Sequence, residues 1–264
     1  MVTPQETWRT VQELRRVAPL VHNITNYVAM DITANALLAL GASPAMVHAE
    51  DEVDEFVGLA HSLVINIGTL SPRWVSAMTR AAERAESRGK PWVLDPVGAG
   101  ATQYRTAVAR DLCFLKPSVV RGNASEILAL AGASTATRGV DSVHASADAL
   151  GVARDLARDL STVVAVTGAV DYITDGERVL RVENGHPMMT RVTALGCTAT
   201  AITGALLAVQ PDPLLAAAMA LAILGLCGET AARGADGPGT LRLRIIDALY
   251  RLDENSIEGI RIRG

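Results

Sequence analysis

The chain has 264 residues, 49% of them hydrophobic, 3% aromatic and 20% charged, with a formal net charge of -4. That length, filled mainly with small aliphatic side chains, suits a single layered domain over 1–264, and no linker, repeat or low-complexity tract divides it. The acidic balance speaks against a nucleic-acid binder, charges occupy the opening segment where a signal peptide needs an apolar core, and no apolar run is clean enough to span a bilayer, so a cytoplasmic protein without nucleic-acid or membrane partners is expected.

Short aliphatic runs then alternate with amphipathic stretches, the sequence form of a parallel sheet covered by helices on both faces. A strand over 19–23 precedes a helix over 30–40; a strand at 45–47 precedes a helix over 51–59; a strand over 62–66 precedes a helix over 71–87; and 92–95 is again a strand. Gly41 stands where a helix C-terminus takes a left-handed residue, and Ser71-Pro72 is an N-cap followed by proline at the first helical position. Further strands are expected at 111–116 and 162–166, then a hairpin over 172–180 turning at Asp175-Gly176. From Cys197 onward the chain reads as three helices. Its longest apolar run, 214–228, is interrupted by glycine and cysteine and closed by Glu229, so it reads as a buried helix.

Ligands of an open parallel sheet bind outside the carboxyl ends of its strands. Four polar exits stand there: Asn23-Ile-Thr-Asn26, Asn66-Ile-Gly-Thr69, Asp95-Pro-Val-Gly-Ala-Gly100 and Val166-Thr-Gly168. The strongest local signal comes later, where Val192-Thr-Ala-Leu-Gly-Cys197 runs into an Ala-rich helix starting near Gly196 or Cys197. Free N–H groups at such a start, reinforced by the helix dipole, suit an anion such as a phosphoryl group, and the same positive end favours a thiolate. Against this stands the reading of Cys197 as a small buried residue.

Asp95, delivered at the end of an interior strand before a glycine-bearing loop, is either a magnesium or water ligand or a turn residue before proline. In Arg121-Gly-Asn-Ala-Ser-Glu126, Asn123 at N-cap with Glu126 at N3 is a capping box, and the same carboxylate is also placed to reach a metal through water. Arg121 suits a phosphate contact or simple surface solvation. Thr167-Gly168 offers a hydroxyl and an unhindered backbone to a nucleotide. His22, His48, His61, His144 and His186 show no metal-ligand spacing, and Cys113, Cys197 and Cys227 form neither a disulfide framework nor a zinc pattern. The third glycine of a dinucleotide loop is missing after Gly98-Ala-Gly100, and Gly89-Lys90 is followed by Pro91, so no P-loop exists either.

Read together, His22-Asn-Ile-Thr-Asn-Tyr-Val28, Gly41-Ala-Ser-Pro-Ala-Met46, Asn66-Ile-Gly-Thr69, Leu94-Asp-Pro-Val-Gly-Ala99, Arg121-Gly-Asn-Ala-Ser-Glu-Ile127, Val166-Thr-Gly168, Gly196-Cys197 and Gly237-Pro-Gly-Thr240 resemble the hydroxyethylthiazole kinase family, in family order over nearly the whole chain. The resemblance implies an α/β fold, the ribokinase-like three-layer αβα sandwich with a mostly parallel central sheet. It implies transfer of the ATP γ-phosphate, with Mg2+, to the primary hydroxyl of 4-methyl-5-(2-hydroxyethyl)thiazole, and assembly as a homotrimer with sites shared between subunits. It further implies that Cys197 and Gly196 are catalytic, that Arg121, Asn123, Thr167 and Gly168 bind ATP, that Asn26, Val28, Met46, Gly68 and Ala194 surround the thiazole, and that Asp95 and Glu126 serve the metal. One departure stands out: the family's Gly-Thr before Gly-Cys is Ala194-Leu195 here. Alanine lacks glycine's freedom at positive φ and leucine has no hydroxyl, so an altered anion turn is expected. Alternatives are a kinase of another small alcohol, such as a hydroxymethylpyrimidine, a ligand binder disabled by that change, and a thiol acyltransferase or hydrolase built on Cys197 and a histidine.

Overall fold

The computed structural model describes residues 2–132 and 146–264, which leaves His144 outside the described residues. The opening segment, read above only for its charges, is a helix, α1 (Pro4–Val17), started by a capping box between Thr3 and Glu6. Strand β1 (Leu20–Ile24) leads to α2 (Met30–Leu40), which Gly41 ends at φ 112°, a value that glycine adopts freely. Then follow β2 (Ser43–Met46), α3 (Val53–Leu59), β3 (Ser62–Asn66) and α4 (Pro72–Ser87), the last capped by Ser71 Oγ accepting the Trp74 N–H at 3.3 Å. Next is β4 (Trp92–Asp95).

The strand expected at 111–116 is not there. Thr102 caps a helix instead, α5 (Gln103–Cys113), which buries Val108, Ala109, Leu112 and Cys113. Their aliphatic content suits a strand, but positions 108, 109, 112 and 113 share one helical face, and that period decides. The strand comes after Pro117, as β5 (Val119–Asn123), followed by α6 (Ala124–Leu130), α7 (Leu150–Leu160) and β6 (Val163–Thr167). The expected hairpin forms from β7 (Asp171–Thr174) and β8 (Val179–Val182). After a 3-10 turn at Pro187–Arg191 come the three long helices, α8 (Leu195–Leu207), α9 (Pro213–Ala232) and α10 (Pro238–Tyr250). A short helix, α11 (Glu254–Ile257), and an edge strand, β9 (Ile262–Arg263), were not foreseen.

The sheet order is β2-β1-β3-β4-β5-β6-β7-β8-β9; β1 to β6 are mutually parallel and β7 to β9 antiparallel. Alternation along the strands splits the core in two. Val21, Val64, Val93, Val119 and Val163 pack against α2, α8, α9 and α10. Leu63, Ile65, Trp92, Leu94, Val120, Val164 and Val166 pack on the opposite face against α4, α5, α6 and α7. This is a three-layer αβα sandwich. Helix α9 is long and apolar enough to cross a membrane, and most of it is buried in this core.

Candidate active site

The strand order turns back between β1 and β3, since the chain leaves β1 for β2 on one side and returns to β3 on the other. At such a switch point the loops diverge and leave a crevice at the strands' carboxyl ends. Register brings Asn66 beside Asp95 and Asn123 beside Thr167 at that end. The N-terminus of α8 comes down over the same crevice.

The polar groups there form one connected chain. Asp95 is buried and accepts hydrogen bonds on Oδ2 from Asn66 Nδ2 at 2.7 Å and from Thr200 Oγ1 at 2.8 Å. Because a carboxylate only accepts, Asn66 must turn its amide nitrogen inward and its Oδ1 outward. That Oδ1 takes Asn26 Nδ2 at 2.8 Å and the Gly68 N–H at 2.9 Å. Asn26 Nδ2 in turn points at Cys197 Sγ, 3.3 Å away, while Asn26 Oδ1 caps the N–H groups of Val28 and Ala29. The sulfur is therefore a hydrogen-bond acceptor at rest. Contrary to the expectation of a helix-end thiolate, the thiol is pushed up from its ordinary value, chiefly by burial and then by the Asp95 charge, against the amides of Asn26 and Asn66 and the charge of Arg121.

Helix α8 starts at Leu195, one or two residues earlier than read from the sequence, and no side chain caps it. Among the described residues the first N–H of this end to find a partner is that of Thr198, on the Ala194 carbonyl at 2.9 Å. The Arg121 guanidinium lies over this end: a Cβ on Gly196 would come within 3.0 Å of Arg121 Nη1, and the guanidinium would have to give by a few tenths of an ångström to admit it. Arg121 Nη2 donates to Thr167 Oγ1 at 3.2 Å, and Nη1 stands 3.9 Å from Asp95 Oδ2. Its side chain is 12% exposed and its Nε has no partner among the described residues, so surface solvation does not describe it. The expected loss of positive φ at Ala194 does not occur either. Ala194 takes φ 63° and ψ 7°, and Leu195 is buried behind it, so the turn keeps its left-handed shape with alanine in it.

Burial pushes the Asp95 carboxyl up to about 6, with Arg121 opposing and Glu126 adding to the rise. Glu126 forms the capping box with Asn123, accepting the Asn123 N–H at 2.8 Å, and its other oxygen accepts the Gly98 N–H at 2.9 Å. Among the described residues no cluster of three or more His, Cys, Asp or Glu side chains could hold a metal by itself. Two carboxylates close enough to feel one another, Asp95 oriented by the Asn66 and Thr200 side chains and Glu126 by the Asn123 and Gly98 N–H groups, fit magnesium, which keeps most of its shell as water and substrate phosphate. Beside Thr167 and Gly168, Asp171 accepts the Gly168 N–H at 2.9 Å, and burial pushes it up to about 6.

Of the residues expected around the thiazole, Asn26 and Gly68 are in contact, with the Asn26 amide 2.7 Å from where a Gly68 Cβ would stand. Ala194 borders the same crevice. Met46 ends β2, paired with Asn23, and Val28 is 59% exposed. Residue-by-residue reading missed Thr200, Asp171 and Arg105. Thr200 was hidden inside an apolar helix, one turn past Gly196, where a lone hydroxyl is ordinary. No described histidine donates to or accepts from Cys197: His22 bonds the Val47 carbonyl at 2.9 Å and packs on Phe56, and His48 stacks on Trp74. A thiol-histidine pair for acyl transfer is thus absent among the described residues.

The model of a family described as the hydroxyethylthiazole kinase family matches residues 11–255. The chain is 60% identical over 240 residues to the hydroxyethylthiazole kinase of Granulibacter bethesdensis, covering 91% of this chain and 88% of that protein. It is 54% identical over 258 residues to that of Syntrophus aciditrophicus, covering 97% and 96%. Among solved structures, a hydroxyethylthiazole kinase protein from Pyrococcus horikoshii superposes with a TM-score of 0.91 at 45% identity, over 98% of each chain.

Proposed function

The chain belongs to the hydroxyethylthiazole kinase family and is an ATP-dependent kinase of an alcohol, and on that premise we propose how its residues divide the work on 4-methyl-5-(2-hydroxyethyl)thiazole. The observation that carries the reading is the single hydrogen-bonded chain from Asp95 through Asn66 and Asn26 to Cys197, set beneath an uncapped helix end and Arg121. It joins an acceptor side to a phosphate side.

Phosphoryl transfer asks a protein mainly for positioning and charge stabilisation. The first turn of α8, from Ala194 to Cys197, cradles the γ-phosphoryl group with main-chain N–H groups, and Gly196 lets the Arg121 guanidinium lie against it. Arg121 balances charge developing between the β- and γ-phosphates. Thr167, Gly168 and Asn123, side by side at the ends of β5 and β6, line the nucleotide. Asp95 and Glu126 would hold magnesium, which would supply positive charge to neutralise the phosphates. Asn26, Val28, Met46, Gly68 and Ala194 surround the thiazole, and Cys197 orients its primary hydroxyl. A thiol whose proton is held suits orientation better than proton abstraction, and a loose transition state asks little of a base.

The same reading includes a homotrimer and a cytoplasmic place of action. Val28 and its neighbour Tyr27, 68% exposed, leave the thiazole side open in the single chain, as expected where a second copy completes the wall. Sedimentation velocity checks this, and a monomer that turns over at full rate would rule it out. The retained left-handed turn at Ala194 speaks against a disabled binder. The deciding experiment measures ADP release with a panel of thiazole, pyrimidine and sugar alcohols, with and without magnesium. Preference for a pyrimidine or sugar alcohol would overturn the substrate, and no turnover with any of them would favour the binder.

A further inference from the structure

Arg105 stands at the third position of α5, in the first turn. A cation there faces the positive end of the helix dipole, so local electrostatics disfavour it and a tertiary reason is required. Its guanidinium supplies that reason. Nη1 donates to the Ile67 carbonyl at 2.7 Å and to the Val97 carbonyl at 3.0 Å, and Nη2 donates to the Gly68 carbonyl at 2.8 Å. The side-chain stem passes under Gly98, whose Cβ would lie 3.3 Å from Arg105 Cδ and whose φ is 75°. One planar fork thus ties together two loops that no strand pairing joins beyond Asp95.

Those loops hold opposite halves of the site. The β3–α4 loop carries Gly68, which touches Asn26 on the thiazole side. The β4–α5 loop follows Asp95 and carries the Gly98 N–H that binds Glu126 on the metal side. We propose that Arg105 is a positioning residue that sets the spacing of the acceptor loop relative to the phosphate loop, and so aligns the attacking hydroxyl with the γ-phosphoryl group. It touches neither substrate. The alignment part rests on the reading of the site given above; the tie between the loops does not.

Lysine cannot reproduce the tie, because one ammonium cannot span three carbonyls in the plane of a fork. Arg105→Lys and Arg105→Met should fold as the parent does by circular dichroism. Hydrogen exchange should rise together at 67–70 and 97–100, with α4 and the body of α5 unchanged. In kinetics, misalignment by about 1 Å should lower kcat by about 100-fold, while KM for ATP stays within about twofold. Unchanged exchange in both loops of a folded Arg105→Lys protein overturns the tie. Faster exchange in both loops with kcat within twofold of the parent overturns the positioning role. A parent that phosphorylates no thiazole alcohol defeats the functional reading instead, and the exchange result still decides the tie. Should Arg105→Met fail to fold while Arg105→Lys folds, the lysine variant alone decides.

Discussion

Cys197 ends a chain of hydrogen bonds whose direction Asp95 imposes, since every amide between them must face the way a carboxylate acceptor dictates. If the thiol only orients the hydroxyl, Cys197→Ala should leave a folded enzyme with kcat/KM reduced about 10- to 100-fold, because the α8 turn and Arg121 remain to stabilise the transition state. Steady-state ADP release measures it, and loss to the uncatalysed level would show that the thiol does chemistry no other group can replace. Arg121 is the opposite case. It is nearly enclosed, it bridges toward Thr167 and Asp95, and Gly196 leaves it the space it fills. Arg121→Ala should cost about 100-fold or more in kcat/KM, as removal of one charge-stabilising donor does. Arg121→Lys should recover little, because a point charge cannot reach both partners. A variant within twofold of the parent would place Arg121 outside the reaction.

The helix starts carry two further tests. Ala194 holds a left-handed conformation at the head of α8 that costs an L-residue about 1 kcal/mol, partly offset in glycine by its freer unfolded chain. Ala194→Gly should therefore raise the urea midpoint by an amount equivalent to up to about 1 kcal/mol. A destabilised glycine variant would mean that the methyl group packs usefully. At α6, Glu126 is both cap and candidate metal group, bonding the Asn123 and Gly98 N–H groups. A glutamine has one acceptor oxygen and can keep the capping box but not the Gly98 N–H as well. Glu126→Gln should therefore lose about 1 to 3 kcal/mol of stability in urea unfolding while still folding, and should raise the magnesium needed for half-maximal rate. An unchanged magnesium titration would leave Glu126 as a cap alone. Cap signals such as Ser71-Pro72 and Asn123 with Glu126 were legible because they are local in sequence. Strand 111–116 was misread because aliphatic content without its period does not distinguish helix from strand.

At the scale of the whole molecule, the buried His22 ring fastens β1 to the Val47 carbonyl past β2 and to Phe56 of α3. Burial lowers it from 6.5 to about 4. The unfolded chain thus binds a proton that the fold refuses, and stability falls as pH drops from about 6.5 toward 4. Between pH 7 and pH 5 the loss from this group should be about 2 kcal/mol. Asp95 and Asp171, raised by burial, act in the opposite sense over the same window, so the test is a difference: wild type against His22→Gln, by urea unfolding at pH 7 and pH 5. The wild type should lose more than the variant. Equal losses would mean that His22 protonates in place.

The alternation of aliphatic runs with amphipathic stretches was enough to determine a layered parallel sheet, because burial on both faces demands apolar strands whatever their order. The motifs along it were enough to point to the family. What only the tertiary structure decided is who touches whom at the crevice. Asn66, Thr200 and Asp95 meet across separations of 29 and 105 residues. Whether Cys197 is thiol or thiolate depends on burial and on the Asp95 charge, neither of which its neighbours in sequence announce. Arg105 looks misplaced in its own helix turn until the two loops it ties are folded against it, because hydrogen bonds to main-chain carbonyls leave no trace in side-chain identity.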